Sequence, residues 1–269
     1  MSVLERDYEM LKVHRGGENG DLLWVTLNNP SKANALSPVM ISEITRLYAS
    51  DLRSEGIRAV LLKGEGKHFS AGADLDHLKS LRNAGPDENR RDSESLRALF
   101  ASILYQPALT VALVHGACVA GGCGIATASD YVVATDDARF MYSEVRIGFV
   151  AALVATYLPL RVRGRDLREL LLDPQFVDAQ KAMDIGLINR ISNSENLEQD
   201  ALELVGGLLS RASSESIART KQLLLQAVGL PLSDALEVAA EVNAKSRATA
   251  DCKHGIATFL ETKKPPTWR

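Results

Sequence analysis

A chain of 269 residues, 46% of them hydrophobic, is long enough for one large domain or one domain with an appendage. A net charge of −3 supplies no field that would draw it to nucleic acid or to an anionic membrane. No stretch approaches the roughly 18 apolar residues of a membrane span, "MSVLERDYEM" lacks a secretory leader's apolar core, and the three cysteines lack metal-ligand spacing, so a reduced cytoplasmic protein without a metal is expected.

The run LLWVTLNNP (22–30) collects β-formers and closes on Asn-Asn-Pro, which predicts a strand and a turn. Residues 37–55 open with Ser37-Pro38, a cap and first-turn pair, and carry Met40, Ile44, Leu47 and Leu52, so a helix is predicted. IRAVLLKGEG (57–66) predicts a second strand, and HFSAGADLDHLKSL (68–81) a small-residue turn entering a helix. The charged stretch 83–95 predicts an exposed, mobile segment. LTVALVHG (109–116) reads as a third strand, followed by a glycine run and a small-residue helix. In 131–144 two short strands flank a turn at Thr135–Asp137. From about residue 165 the pattern is helical, with a cap at Ser213. The alternation places the chain in the α/β class, with a helical tail.

HGACVAGGCGIATASD (115–130) holds four glycines in an apolar run. Bare backbone after a strand, at a helix N-terminus, offers unpaired N–H groups to an anion or a carbonyl oxygen. A phosphate loop is excluded because Gly122 and Cys123 stand where lysine and a hydroxyl residue are needed. A dinucleotide fingerprint is incomplete, since Thr127 takes the third glycine's place. FSAGADL (69–75) is a second such turn, and two turns sharing one point make an oxyanion hole.

Read together, HFSAGADL, HGACVAGGCGIATASD and SEVRIG resemble the enoyl-CoA hydratase/isomerase, or crotonase, superfamily. NNPSKANALS (28–37) is similar to its early CoA-binding turn, and GIATFLETKKPPTW (255–268) to its usual ending. The resemblance implies a crotonase-like spiral of ββα units over 1–200, with a helical trimerisation region over 201–269. It implies trimers, or hexamers of paired trimers, acting on an acyl-CoA thioester with no cofactor beyond the substrate's coenzyme A. The N–H groups of Ala71 and Gly121 would hold the thioester oxygen. Lys32, Ala33, Ala35, Leu36, Gly72, Ala73, Asp74, Leu75, Gly122 and Gly124 would line the substrate's path, with Phe259, Lys263 and Lys264 as weaker candidates from the C-terminal stretch.

Two-carboxylate hydratases carry a glutamate where this chain has Gly124, whereas Glu144 matches the second carboxylate. Glu144 is therefore the expected acid–base residue. The expected reaction is reversible hydration of a 2-enoyl-CoA, a lyase activity, with Δ3–Δ2 enoyl-CoA isomerisation by a single glutamate as the alternative. A CoA- or RNA-binding protein with little catalysis is the third reading, prompted by Arg161, Arg163, Arg165 and Arg168. Asp74 reads as a helix-start acid, Asp130 and His68 as structural, and His115 as a packed histidine. Phe149 and Val150 are expected to reshape the acyl pocket.

Overall fold

A computed structural model describes residues 2–268. The strands are β1 (Leu11–Gly16), β2 (Leu22–Leu27), β3 (Ala59–Gly64), β4 (Leu109–Val114), β5 (Ala117–Val119), β6 (Tyr131–Thr135), β7 (Arg139–Met141), β8 (Val177–Asp178) and β9 (Arg190–Ser192). The helices are α1 (Pro38–Tyr48), α2 (Leu75–Leu81), α3 (Pro86–Leu104), α4 (Gly121–Ala128), α5 (Val154–Tyr157), α6 (Gly164–Leu172), α7 (Ala179–Asp184), α8 (Leu197–Arg211), α9 (Ser214–Gln226), α10 (Leu232–Arg247) and α11 (Ala250–Thr262). No helix among the described residues is long and apolar enough to cross a membrane.

The main sheet has the order β1-β2-β3-β4-β6-β9, antiparallel at β1–β2 and parallel beyond. Because side chains alternate along a strand, its residues divide between two cores. Leu23, Val25, Val60, Leu62, Ala112 and Val114 join the larger core with α1, α3 and α4. Leu22, Trp24, Ala59, Leu61, Leu109, Val111 and Leu113 meet Leu197, Ala201, Val205 and Leu209 of α8 on the other face. Parallel strands covered on both faces need near-continuous apolar runs, which explains why 22–27 and 109–114 read so clearly. Each fully buried Leu, Val or Ile here contributes about 1.5–3 kcal/mol. Helix α8 straddles residue 200, so the helical tail leaves the sheet only after Arg211.

A smaller sheet, β5-β7-β8, forms a second layer. Isolated parallel bridges Leu36–Ala73 and Ser70–Cys118 continue it, so turns from four distant parts of the chain stack side by side. This layer carries the site.

The structure corrects two expectations and adds a strand. Helix α1 ends at Tyr48 rather than 55, and Leu52 is buried from a turn that closes through Gly56 at φ 77°. Residues 86–95 are the exposed first half of helix α3. Pro86 opens that helix, Asp87 and Glu88 suit its positive end, and burial of Leu99, Phe100 and Ile103 anchors the far half. Strand β1 was not anticipated, because only Leu11 is buried in this edge strand. Lys221 of α9 ties the tail to the core: its Nζ reaches Gln106 O, Ala108 O and Asp130 Oδ2 at 2.6–2.7 Å. Asp130 also accepts from Thr110 N and Oγ1, the structural role expected for it.

Candidate active site

The early turn 29–36 is shaped by Ala33 and Asn34, both left-handed at φ 49° and 52°. Asn34 is fully buried and its side chain is saturated: Nδ2 donates to Glu65 O and His68 O, and Oδ1 accepts from Asn29 N. This geometry turns the Ala33 carbonyl toward the FSAGADL turn, where it accepts from Ala71 N at 2.9 Å. The N–H of Ala71 is therefore consumed inside the protein, and the structure corrects its assignment as an oxyanion donor. Gly72 N is consumed as well, donating to Ser70 Oγ at 3.2 Å. Ala73 N donates to no protein group among the described residues, and Ala73 is exposed.

The glycine run supplies the other donor. Ala120 takes φ 48°, ψ −119°, a conformation glycine adopts more easily, with its N–H fixed to Met141 O at 2.8 Å. It thereby aims the next peptide, and Gly121 N at the start of α4 likewise has no internal partner. The two turns touch. A Cβ on Gly72, itself at φ 83°, would lie 2.7 Å from Val119 O and 3.4 Å from Gly121 N. Leu36 completes the contact, its N–H donating to Gly72 O and its Cδ1 lying against Gly121. Gly122 backs onto Ser70, where a Cβ would stand 2.8 Å from Ser70 O.

Lys32 is engaged on arrival at this site. Its Nζ pairs with Asp74 Oδ2 at 3.1 Å and Asp76 Oδ2 at 2.8 Å, which joins the early turn to the start of α2. Asp74 is buried and caps α2 through Asp76 N and His77 N. The bond from His77 N first, then Lys32 and Asp76 N, hold its carboxyl below the usual range against the opposing effect of burial. Ala35 is buried and Leu75 is 71% exposed.

Glu144 begins a 3-10 turn three residues beyond Met141, the partner of Ala120. Its Oε2 is buried without a hydrogen-bond partner among the described residues. Burial raises its pKa, opposed only by its own backbone N–H. Tyr157 donates its hydroxyl to Gly124 O of α4 at 2.9 Å. A Cβ at Gly124 would meet Phe100 Cε1 at 2.7 Å and Val154 Cγ2 at 3.2 Å. The space a first glutamate would occupy is filled by packed apolar groups.

Other candidates take up structural places. Tyr142 is buried with its hydroxyl 3.4 Å from Thr127 Oγ1, and Cys118 and Cys123 are buried free thiols. His68 Nδ1 accepts from Ala117 N, and His115 Nε2 sits 2.9 Å from Gly66 O. Arg161 is drawn inward to Thr127 O, so the four arginines do not form one exposed basic face. Phe149 and Val150 are 56% and 66% exposed, and Phe259 is 52% exposed on α11. Lys263 closes α11 in a left-handed conformation, with Lys264 after it. Sequence reading missed Asn34, Ser70, Phe100 and Tyr157. A polar residue of "KANAL" between two alanines was the one available signal for Asn34.

The description Enoyl-CoA hydratase/isomerase belongs to a family model that matches residues 17–269. A Thermus thermophilus protein named "Putative enoyl-CoA hydratase" is 43% identical over 93% of this chain and 98% of its own length. The mitochondrial Delta(3,5)-Delta(2,4)-dienoyl-CoA isomerase of Pongo abelii is 30% identical over 97% of this chain and 82% of its own. A solved enoyl-CoA hydratase from Shewanella pealeana superposes with a TM-score of 0.89 at 30% identity, covering 99% of this chain and 98% of that one. Its fold, its two open N–H groups and these matches agree: the chain belongs to the enoyl-CoA hydratase/isomerase, or crotonase, family.

Proposed function

We propose that the protein reversibly hydrates the C2=C3 bond of a 2-enoyl-CoA, using Glu144 as its only acid–base carboxylate. The observation that carries this reading is the buried, unpartnered Oε2 of Glu144, in a layer that also offers two open backbone donors. In this reading the thioester oxygen accepts from Ala73 N and Gly121 N, which stabilise the charge of the enolate. One such donor is worth about 3–4 kcal/mol. Water adds its oxygen to C3 while one carboxylate oxygen takes the proton. The same carboxyl returns a proton to C2, so the step balances and both new bonds form on one face. A raised pKa suits a group that must hold and release a proton near neutral pH.

No metal or redox group is called for, and coenzyme A enters with the substrate. Lys32 acts as a clamp between the two turns rather than as a phosphate ligand. The exposed apolar residues Leu224, Leu232, Leu236, Ile256, Phe259 and Leu260 on α9–α11 support self-association, as a trimer or a hexamer.

A second reading is Δ3–Δ2 isomerisation, in which Glu144 carries a proton from C2 to C4. It is favoured by Phe100, which leaves no polar group at position 124 to help hold a water. Crotonyl-CoA and 3-hexenoyl-CoA, each incubated in H2¹⁸O with wild type and Glu144→Gln, separate the two. Glu144-dependent gain of labelled water at C3 is the expected result. A 3-enoyl-CoA that changes retention without a change in mass would replace hydration by isomerisation.

A further inference from the structure

Three successive N–H groups, those of Ala71, Gly72 and Ala73, approach the Gly121 side of the site, and the protein silences the first two. Ala71 N is taken by Ala33 O at 2.9 Å and Gly72 N by Ser70 Oγ at 3.2 Å. Ser70 is fully buried, and its hydroxyl does two jobs, because it also donates to Asn34 O at 2.8 Å. The Asn34 carbonyl thereby belongs to the same relay as the left-handed pair that turns the Ala33 carbonyl toward Ala71. Ser70 N and O bond in turn to the strand before Gly121: Ser70 N donates to Ala117 O at 3.2 Å, and Val119 N donates to Ser70 O at 2.9 Å. One residue thus touches both donor-bearing turns and the hub that shapes them.

We infer that Ser70, with Asn34 behind it, is a positioning residue that selects Ala73 N–H as the partner of Gly121 N–H. Neither side chain meets the substrate. Their effect reaches the reaction through the orientation of one peptide. The inference rests on the reading of these N–H groups as donors to a thioester oxygen. A hydroxyl that accepts from Gly72 N and donates to Asn34 O cannot be replaced by a methyl group without freeing both. The 71–73 turn can then rotate, and displacement of a reacting group by about 1 Å typically costs about 100-fold in rate.

The test uses full-length Ser70→Ala and Asn34→Gly, the latter keeping access to the left-handed backbone. Butyryl-CoA carrying ¹³C at the thioester carbonyl, which has no C2=C3 bond to hydrate, is bound to wild type, to each variant and to Glu144→Gln, and the carbonyl stretch is read by isotope-edited infrared difference spectroscopy, with kcat and KM measured on crotonyl-CoA. Wild type and Glu144→Gln should lower the carbonyl frequency equally. Ser70→Ala should lose at least about half of that shift and about 30- to 100-fold in kcat, with KM within about threefold. Asn34→Gly should follow the same pattern, and if it does not fold, Ser70→Ala alone decides. A Ser70→Ala enzyme with the full carbonyl shift and a kcat within twofold of wild type would overturn the assignment. Absence of any shift in wild type with thioester bound would instead bring down the oxyanion reading of the site, and the role of Ser70 with it.

Discussion

Phe100 of α3 stands in the space that any side chain at Gly124 of α4 would need, with its Cε1 2.7 Å from where a Cβ would be. The pair explains the chain's single-carboxylate site in packing terms. Gly124→Glu alone should be destabilising by about 3 kcal/mol, since it overpacks the core and buries a charge. Adding Phe100→Ala should recover part of that loss, because the two residues touch and their effects cannot add independently. Urea unfolding of both single variants and the double variant measures the coupling. Strict additivity would mean that Phe100 does not guard the slot.

Glu144→Gln should lower kcat/KM by about 10²–10⁴, the range for losing a positioned proton carrier. The wild-type acid limb of kcat/KM should lie above the ordinary carboxylate range, because burial raises the pKa of Glu144 and the ionised form is the base. An acid whose folded pKa exceeds its unfolded value contributes stability that is complete below the unfolded value and is lost as pH rises through the folded one. Glu144→Gln should therefore gain on wild type as pH rises from about 4 to 7. Unfolding curves at several pH values test this.

Ala120 holds φ 48°, ψ −119° while it aims the Gly121 peptide. Such backbone strain typically costs about 1–3 kcal/mol. Ala120→Gly should raise stability by about 1 kcal/mol. A loss of stability in thermal unfolding would show that the alanine methyl is better packed than it is strained.

Lys221→Met should cost about 2–3 kcal/mol, somewhat less than breaking a fully dry pair, because the Asp130 side chain keeps 21% of its surface exposed. It leaves Asp130 Oδ2, Gln106 O and Ala108 O without their cation. Adding Asp130→Asn should restore part of the loss in the same denaturation assay.

Leu232 and Leu236 of α10 are 76% and 60% exposed. Changing both to glutamate should convert an assembled wild type to monomer in sedimentation velocity. A wild type that sediments as a monomer would remove the assembly from the proposal.

The strands of the main sheet were legible because parallel strands buried on both faces read as near-continuous apolar runs, as 22–27 and 109–114 do with only Thr26 and Thr110 interrupting them. β1 was hidden because an edge strand can leave most of its side chains partly or fully exposed. α3 was hidden because its first ten residues face water, and the signals that anchor it, Leu99, Phe100 and Ile103, come afterwards. Within the candidate site, Glu144 and Gly121 were singled out from motif, and among the described residues the structure gives them a buried unpartnered carboxyl oxygen and an open N–H. The choice between Ala71 and Ala73 was not, since it depends on which N–H another turn captures. Ala33, 38 positions earlier, makes that choice through its carbonyl.

Four turns from distant stretches stack to make the layer that carries the candidate site, and they leave the ribosome in the order 33–36, 70–73, 117–119, 139–141. Early strands have partners as soon as β3 follows β2, yet Ala120 N has no acceptor until Met141 is made. A nascent chain halted before β7 thus holds most of its sheet, while Ala120 N is still without the bond that aims the Gly121 peptide. The enzyme gains its chemistry only once enough chain exists to bury what that chemistry requires.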